Sequence, residues 1–431
     1  MKTPIKKTLI CLFGISLAFL FLSIGLLDKK TVQMYQNHEK QDSDNDTFNT
    51  ELDKTKEYTH RASAIATNLT LEEKVAQLLM VAVSGNSEIS PYSVKAFKYV
   101  PGAIILYKFN FADKPETVHQ FISSCNTAIV AKARTSAQAI PPFFATDNEG
   151  GVVFRTASVT SPLPSASTVA KKGTPHIAHE LYTAQAEQMA ELGLSMNLAP
   201  VCEVGNPDTS VLKTRLFAND SSKVSDFAYE CISAMQKTGI ACVLKHFPGS
   251  GNSDTHYGAS SIDLDYKLFC DSCEVFRKPL SQSLAVMASH VIVPCLDTVP
   301  FCISHKGISF LRNHFNYSGI VMSDDIIMKA LEPYCKNYVD LACQAISAGC
   351  DLILYSASDF TNLIQGIADR ARQDSRLSER IDEAVHTILI AKLKIGLLAD
   401  ENATVKNSEF VKSHFIDAYN QGLSVYEIFK E

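Results

Sequence analysis

Beyond residue 70 the chain alternates short apolar runs with amphipathic stretches, and eight such runs stand out: 75–83, 102–107, 141–147, 195–201, 238–247, 286–293, 319–324 and 348–356. Most are separated by segments of helical spacing, such as HIAHELYTAQAEQMAEL (176–192) and DYKLFCDSCEVFRKPLSQSL (265–284). Continuous apolar strands joined by helices predict a parallel sheet covered on its outer face. Eight strand–helix units over this length predict a (β/α)8 TIM-type barrel forming a single catalytic domain. A doubly wound sheet would show the same alternation, but the glycine-rich phosphate turn after a first strand is missing. Near the end, Leu377, Ile381, Ala384, Val385, Ile388 and Ala391 keep one helical apolar face, which is expected to pack against the barrel wall.

The N-terminus follows a different pattern. Thr8 to Leu27 carries no charge and follows Lys2, Lys6 and Lys7. About 20 such residues reach across a ~30 Å hydrocarbon layer as a helix. No small-x-small cleavage site follows, so an uncleaved transmembrane anchor is expected. The lysine bias places the N-terminus in the cytoplasm and the catalytic domain outside it, periplasmic or on the cell surface. The expected organisation is therefore a signal anchor over 1–30, a polar spacer over 31–58, a barrel over 59–400 and a C-terminal extension over 401–431.

Composition narrows the functional classes. The 431 residues carry 40 Lys and Arg against 46 Asp and Glu, a formal charge of -6 with no long basic block, so nucleic acid is excluded as a partner. Trp is absent, which excludes a long polysaccharide cleft paved with indoles. Of the 12 cysteines, many lie in apolar runs and suit small buried residues. Cys270 and Cys273 form a CxxC without a second pair, which disfavours a metal site; a disulfide between them stays open.

In a barrel the reacting groups come from the C-terminal ends of the strands. Those positions are unusually polar here: Asp147 runs into Asn148-Glu149-Gly150-Gly151, the fourth strand leads towards Arg215, and the fifth ends in Lys245-His246. The sixth ends at His290 and the seventh at Ser323-Asp324-Asp325. Taken singly, each has a structural explanation, as a turn, a helix cap or a core histidine. Their convergence on one rim favours a site. After the fifth strand, KHFPGSGNSDTHYG is a loop. If Asp254-Thr255-His256 is locally extended, Asp254 shares a side with His256 and makes it a general acid/base; a solvated Asx turn is the alternative.

With these pieces in order, the chain resembles glycoside hydrolase family 3, in its single-barrel branch of β-N-acetylhexosaminidases, from about Leu69 to Leu397. The resemblance rests on LTLEEKVAQLLM, PGAIILY, ATDNEGGVVFR, NLAPVCEV with TRLF, KHFPGSG with DTH, MASHVIVPCLD, GIVMSDDIIM and AISAGCDLIL. It implies a retaining exo-glycosidase that releases a terminal β-linked N-acetylglucosamine, with cell-wall fragments as one source of substrate. By the same resemblance Asp324 is the nucleophile, His256 with Asp254 the acid/base, and Asp147, Arg155, Arg215, Lys245 and His246 hold sugar hydroxyls. No metal or organic cofactor is implied. Departures from the family pattern are Ser250 for a histidine, Asn252 for an aspartate, Thr255 for a serine, Val152 for an arginine, Asn148 for a glutamine, and a loop two residues shorter. The alternatives are another sugar (β-glucoside or β-xyloside), a phosphorylase, or a membrane-tethered sugar-binding protein without turnover.

Overall fold

The computed structural model describes residues 53–131, 140–357, 359–398 and 409–430. The chain divides into two units, one ending at Arg61 and one beginning at Ala62. In the first, residues 53–61 are helical, so the stretch expected to be a spacer up to residue 58 ends in helix. Ion pairs one turn apart support it, Lys56 with Asp53 and Arg61 with Glu57. The expected anchor lies outside the described residues, and among the described residues no helix is long and apolar enough to cross a membrane.

In the second unit each apolar run contributes one strand: β1 (Leu79–Ala82), β2 (Ala103–Ile105), β3 (Phe143–Thr146), β4 (Met196–Asn197), β5 (Ala241–Phe247), β6 (Ala285–Ala288), β7 (Ile320–Ser323) and β8 (Ile353–Tyr355). The sheet order is β8-β1-β2-β3-β4-β5-β6-β7, and every neighbouring pair is parallel. A bridge between Met322 and Leu352 joins β7 to β8, so the sheet comes round on itself as a nearly closed barrel. Nearly all strand residues are buried. Side chains facing inward fill the barrel and those facing outward meet helices, which is why these strands read as unbroken apolar runs.

The helix Ser375–Lys394 buries Leu377, Ile381, Ala384, Val385, Ile388 and Ala391, the face expected of it. Its Lys392 is 0% exposed, and Nζ donates to Gln77 Oε1 and Pro141 O at 2.8 Å each. Arg380 of the same helix and Arg312 both bind the Asp351 carboxylate at the base of β8. The stretch 265–284 departs from the single helix its spacing suggested, breaking into Tyr266–Cys273, a 3-10 turn Glu274–Phe276 and Arg277–Leu280. Pro279 accounts for the break: its ring has no N–H to give and collides with the carbonyl four residues back, at Val275. Cys270 and Cys273 are both unpaired thiols, as is every described cysteine. In the C-terminal segment, helix Lys412–Tyr426 lies on Pro175–Glu191, and a Cβ at Gly422 would fall 2.2 Å from Ser161 Oγ.

Candidate active site

The strand ends of the barrel bring the expected residues to one rim. β3 leaves the barrel at Asp147 and enters a short hairpin, Asn148–Gly150 paired with Val153–Phe154, turned by Gly150 at φ 97° and Gly151 at φ 57°. In extended chain, residues two apart share a side, so Asp147 and Glu149 face together and Asn148 faces away. Asn148 is buried and accepts from Thr156 Oγ1 at 2.8 Å.

β5 supplies the cation between the two acids. Lys245 Nζ, with its side chain 3% exposed, contacts Asp147 Oδ1 at 2.8 Å and Glu149 Oε1 at 2.7 Å. Arg215 completes the cluster with two bonds to Glu149, Nε to Oε2 at 2.8 Å and Nη2 to Oε1 at 2.9 Å. Burial works to raise the Glu149 carboxyl, but Lys245 and then Arg215 outweigh it and bring it down to about 2. Burial likewise opposes the charge on Lys245, and Asp147 and Glu149 hold its ammonium above the ordinary lysine value. Glu149 was not foreseen as a site residue; the signal for it was its two-residue offset from Asp147.

A second carboxylate went unforeseen. Glu203, just past β4, accepts from His246 Nδ1 at 2.7 Å and His246 N at 3.2 Å, and from Ser250 N at 2.6 Å and Ser250 Oγ at 2.8 Å. Burial would raise it, and the bonds from His246 and Ser250 keep it below its ordinary value. Tyr107, at the end of β2, belongs to the same rim: burial, and then Asp325, Asp147 and Asp324, push its phenol up.

The segment Asp254-Thr255-His256 is a turn, not the extended strand that was one condition for the dyad. Tyr257 N donates to Asp254 O at 3.0 Å, and Asp254 Oδ1 accepts from His256 N at 2.9 Å. The dyad forms nonetheless, because that Asx turn folds the His256 ring back until Nδ1 lies 2.7 Å from the same Oδ1. With Nδ1 occupied, Nε2 is the nitrogen left for proton transfer. The His256 side chain is 65% exposed.

Asp324 ends β7, its N–H bonded to Ala288 O at 3.1 Å and its Oδ1 accepting from Asp325 N at 2.8 Å. Burial opposes its charge; His290, His246, the Asp325 N–H and Lys245 outweigh burial and hold the carboxyl below its ordinary value. His290 itself is a buried support. Its Nε2 lies 3.0 Å from Asp325 O, and burial lowers its basicity.

Asp324 and His256 line one pocket, together with Arg215, His246, Ser250, Asp254 and Ser289. Its enclosed volume is small, about 70 Å³, below the ~300–1,000 Å³ of ordinary ligand sites. Of the residues expected to hold sugar hydroxyls, Arg215 and His246 face this pocket. Asp147 and Lys245 are tied to it through Arg215 and Glu149 from one side. Arg155 is held by its own N–H to Asp147 O at 3.2 Å, and its Nε has no partner among the described residues. Among the described residues no group of three His, Cys, Asp or Glu side chains is placed to hold a metal ion.

Known proteins share this arrangement of chain. The family model of the glycosyl hydrolase family 3 N-terminal domain matches residues 70–391. A β-hexosaminidase of Nitrosospira multiformis is 29% identical over 264 residues, 59% of this chain and 72% of the relative. The β-hexosaminidase LpqI of Mycobacterium tuberculosis is 27% identical over 322 residues, 72% of this chain and 79% of its own. Among solved structures, a family 3 β-N-acetylglucosaminidase from Paenibacillus sp. aligns with a TM-score of 0.72 at 26% identity, over 84% of this chain and 69% of that one. The matched span contains all eight strands and every residue of the rim described above: this chain belongs to glycosyl hydrolase family 3.

Proposed function

We propose that the protein is a retaining exo-β-N-acetylhexosaminidase that removes a terminal β-linked N-acetylglucosamine. The observation that carries the reading is the shared pocket: an ionised carboxylate, Asp324, and a carboxylate-bound imidazole, His256, line the same small cavity. The relatives named β-hexosaminidase support the choice of sugar.

In the first step an Asp324 oxygen attacks the anomeric carbon as the glycosidic C–O bond breaks, and His256 Nε2 gives its proton to the leaving oxygen. Asp254 stabilises the imidazolium before transfer and fixes which nitrogen carries the proton. In the second step His256 takes a proton from water, the water oxygen attacks the anomeric carbon, and Asp324 leaves as a carboxylate. Arg215 and His246 hold sugar hydroxyls from the pocket wall, with Asp147, Lys245 and Arg155 completing the grip on the side of the Glu149 cluster. The uncharged apolar stretch at residues 8–27, read as an anchor, supports a catalytic domain outside the cytoplasm, with cell-wall fragments as one source of its amino sugars.

A panel of aryl glycosides tests the reading. The N-acetylglucosaminide is expected to be hydrolysed in preference to the glucoside and xyloside, with no dependence on phosphate. Preference for the glucoside, or turnover only with phosphate, would overturn it.

A further inference from the structure

The loop that carries the acid/base is held to the barrel at both limbs. Its return pairs with Ile292, whose N–H donates to Ser260 O and whose O accepts from Ile262 N at 2.9 Å each, and its outgoing limb is fastened by one buried carboxylate, Glu203. Residues 248–252 form a thin wall: on one side lies the pocket with Asp324, lined by Ser250, and on the other a second cavity lined by Pro248, Ser250, Ile262, Leu264 and Phe276. Its fastening is polar. Ser250 donates twice to Glu203, through N at 2.6 Å and Oγ at 2.8 Å, and Glu203 also receives both donors of His246. Farther along, Ser260 Oγ donates to Ser250 O at 2.8 Å, which ties the return of the loop to the same residue. Three residues, 251–253, separate Ser250 from the Asp254–His256 turn.

We propose that Glu203 and Ser250 form a positioning latch that sets where His256 presents its proton, and that Glu203, by gripping His246 with the same carboxylate, makes the placement of the acid depend on the sugar-holding histidine. Glu203 and Ser250 touch neither reacting atom, so they are positioning residues. The inference rests on the reading of Asp324 as nucleophile and His256 as acid/base, and it is tested on the first step, where only some leaving groups need the acid.

That division supplies the test. A leaving group as weakly basic as 2,4-dinitrophenolate departs without protonation, whereas an alkyl or sugar alcohol does not. Ser250→Ala removes the Oγ bond to the carboxylate and keeps the backbone bond, so the fold is expected to survive. For the β-1,4-linked N-acetylglucosamine disaccharide, kcat is expected to fall about tenfold with KM little changed, the loss typical of one hydrogen bond to a charged partner. For the dinitrophenyl N-acetylglucosaminide, kcat/KM, which reports bond cleavage ahead of the His256-assisted hydrolysis of the intermediate, is expected to stay within about twofold of the parent enzyme. Glu203→Gln is expected to show the same larger loss on the disaccharide and, through His246, a raised KM for both substrates. Equal losses on the two substrates in Ser250→Ala, or no loss on either, would overturn the latch. Failure of the parent enzyme to cleave either substrate would instead sink the underlying assignment, so the two failures are distinguishable.

Discussion

The residue that decides the electrostatics of the rim is Glu149, which is buried between Lys245 and Arg215. Removing its charge leaves two cations facing each other in a dry site, so Glu149→Gln is expected to cost about 3–5 kcal/mol in chemical unfolding. The pH dependence has a definite sign. The folded carboxyl is depressed to about 2 from an ordinary 4.5, so its contribution is full above that ordinary value and is lost as pH falls towards 2. Unfolding free energy measured against pH should therefore fall less steeply below about pH 4.5 in Glu149→Gln than in the parent protein; identical slopes would contradict the assignment. Asp324 obeys a similar balance, with His290, His246, a backbone N–H and Lys245 overcoming burial, and its ionised form is what a nucleophile requires.

At the scale of elements, the barrel strands were legible because a strand buried on both faces leaves an uninterrupted apolar run, and each of the eight runs holds one strand. What the pattern could not show is set by backbone geometry. The 265–284 stretch has helical spacing, yet Pro279 breaks it. The acid/base turn was legible as a pairing of Asp254 with His256 but not as an Asx turn, since the tripeptide suits either conformation. Glu149 and Glu203 were missed because their importance lies in partners distant in sequence, Lys245 and His246, whose convergence only the closed barrel produces. Asp324, Asp254, Arg215 and His246 were foreseen through motif resemblance and share the pocket. The hairpin that aims Glu149 makes its own prediction. At Gly150 the backbone has φ 97°, and a Cβ there would lie 2.2 Å from Pro164 O. Gly150→Ala is expected to destabilise the fold by at least ~1–3 kcal/mol, visible as a lowered Tm; an unchanged Tm would contradict the strain assigned to that turn.

At the scale of the whole barrel, the end opposite the catalytic rim carries an ion cluster that takes no part in the chemistry. At the base, Asp351 precedes β8, receives Arg312 and Arg380, and accepts from Val321 N at 2.8 Å. Asp351→Asn should lower unfolding free energy by about 3–5 kcal/mol and leave kcat/KM of the folded enzyme within about twofold, because none of these groups lies on the catalytic rim. At the mouth, everything depends on Asp324 forming a bond to the sugar while His256 serves the leaving oxygen. The direct measurement is covalent trapping with 5-fluoro-N-acetylglucosaminyl fluoride, whose fluorine at C5 slows breakdown of the intermediate by destabilising its oxocarbenium-like transition state. Digestion and mass spectrometry of the inactivated enzyme should find one sugar per chain on the peptide containing Asp324. A label on any other residue, or continued turnover with no adduct on Asp324, would contradict the account.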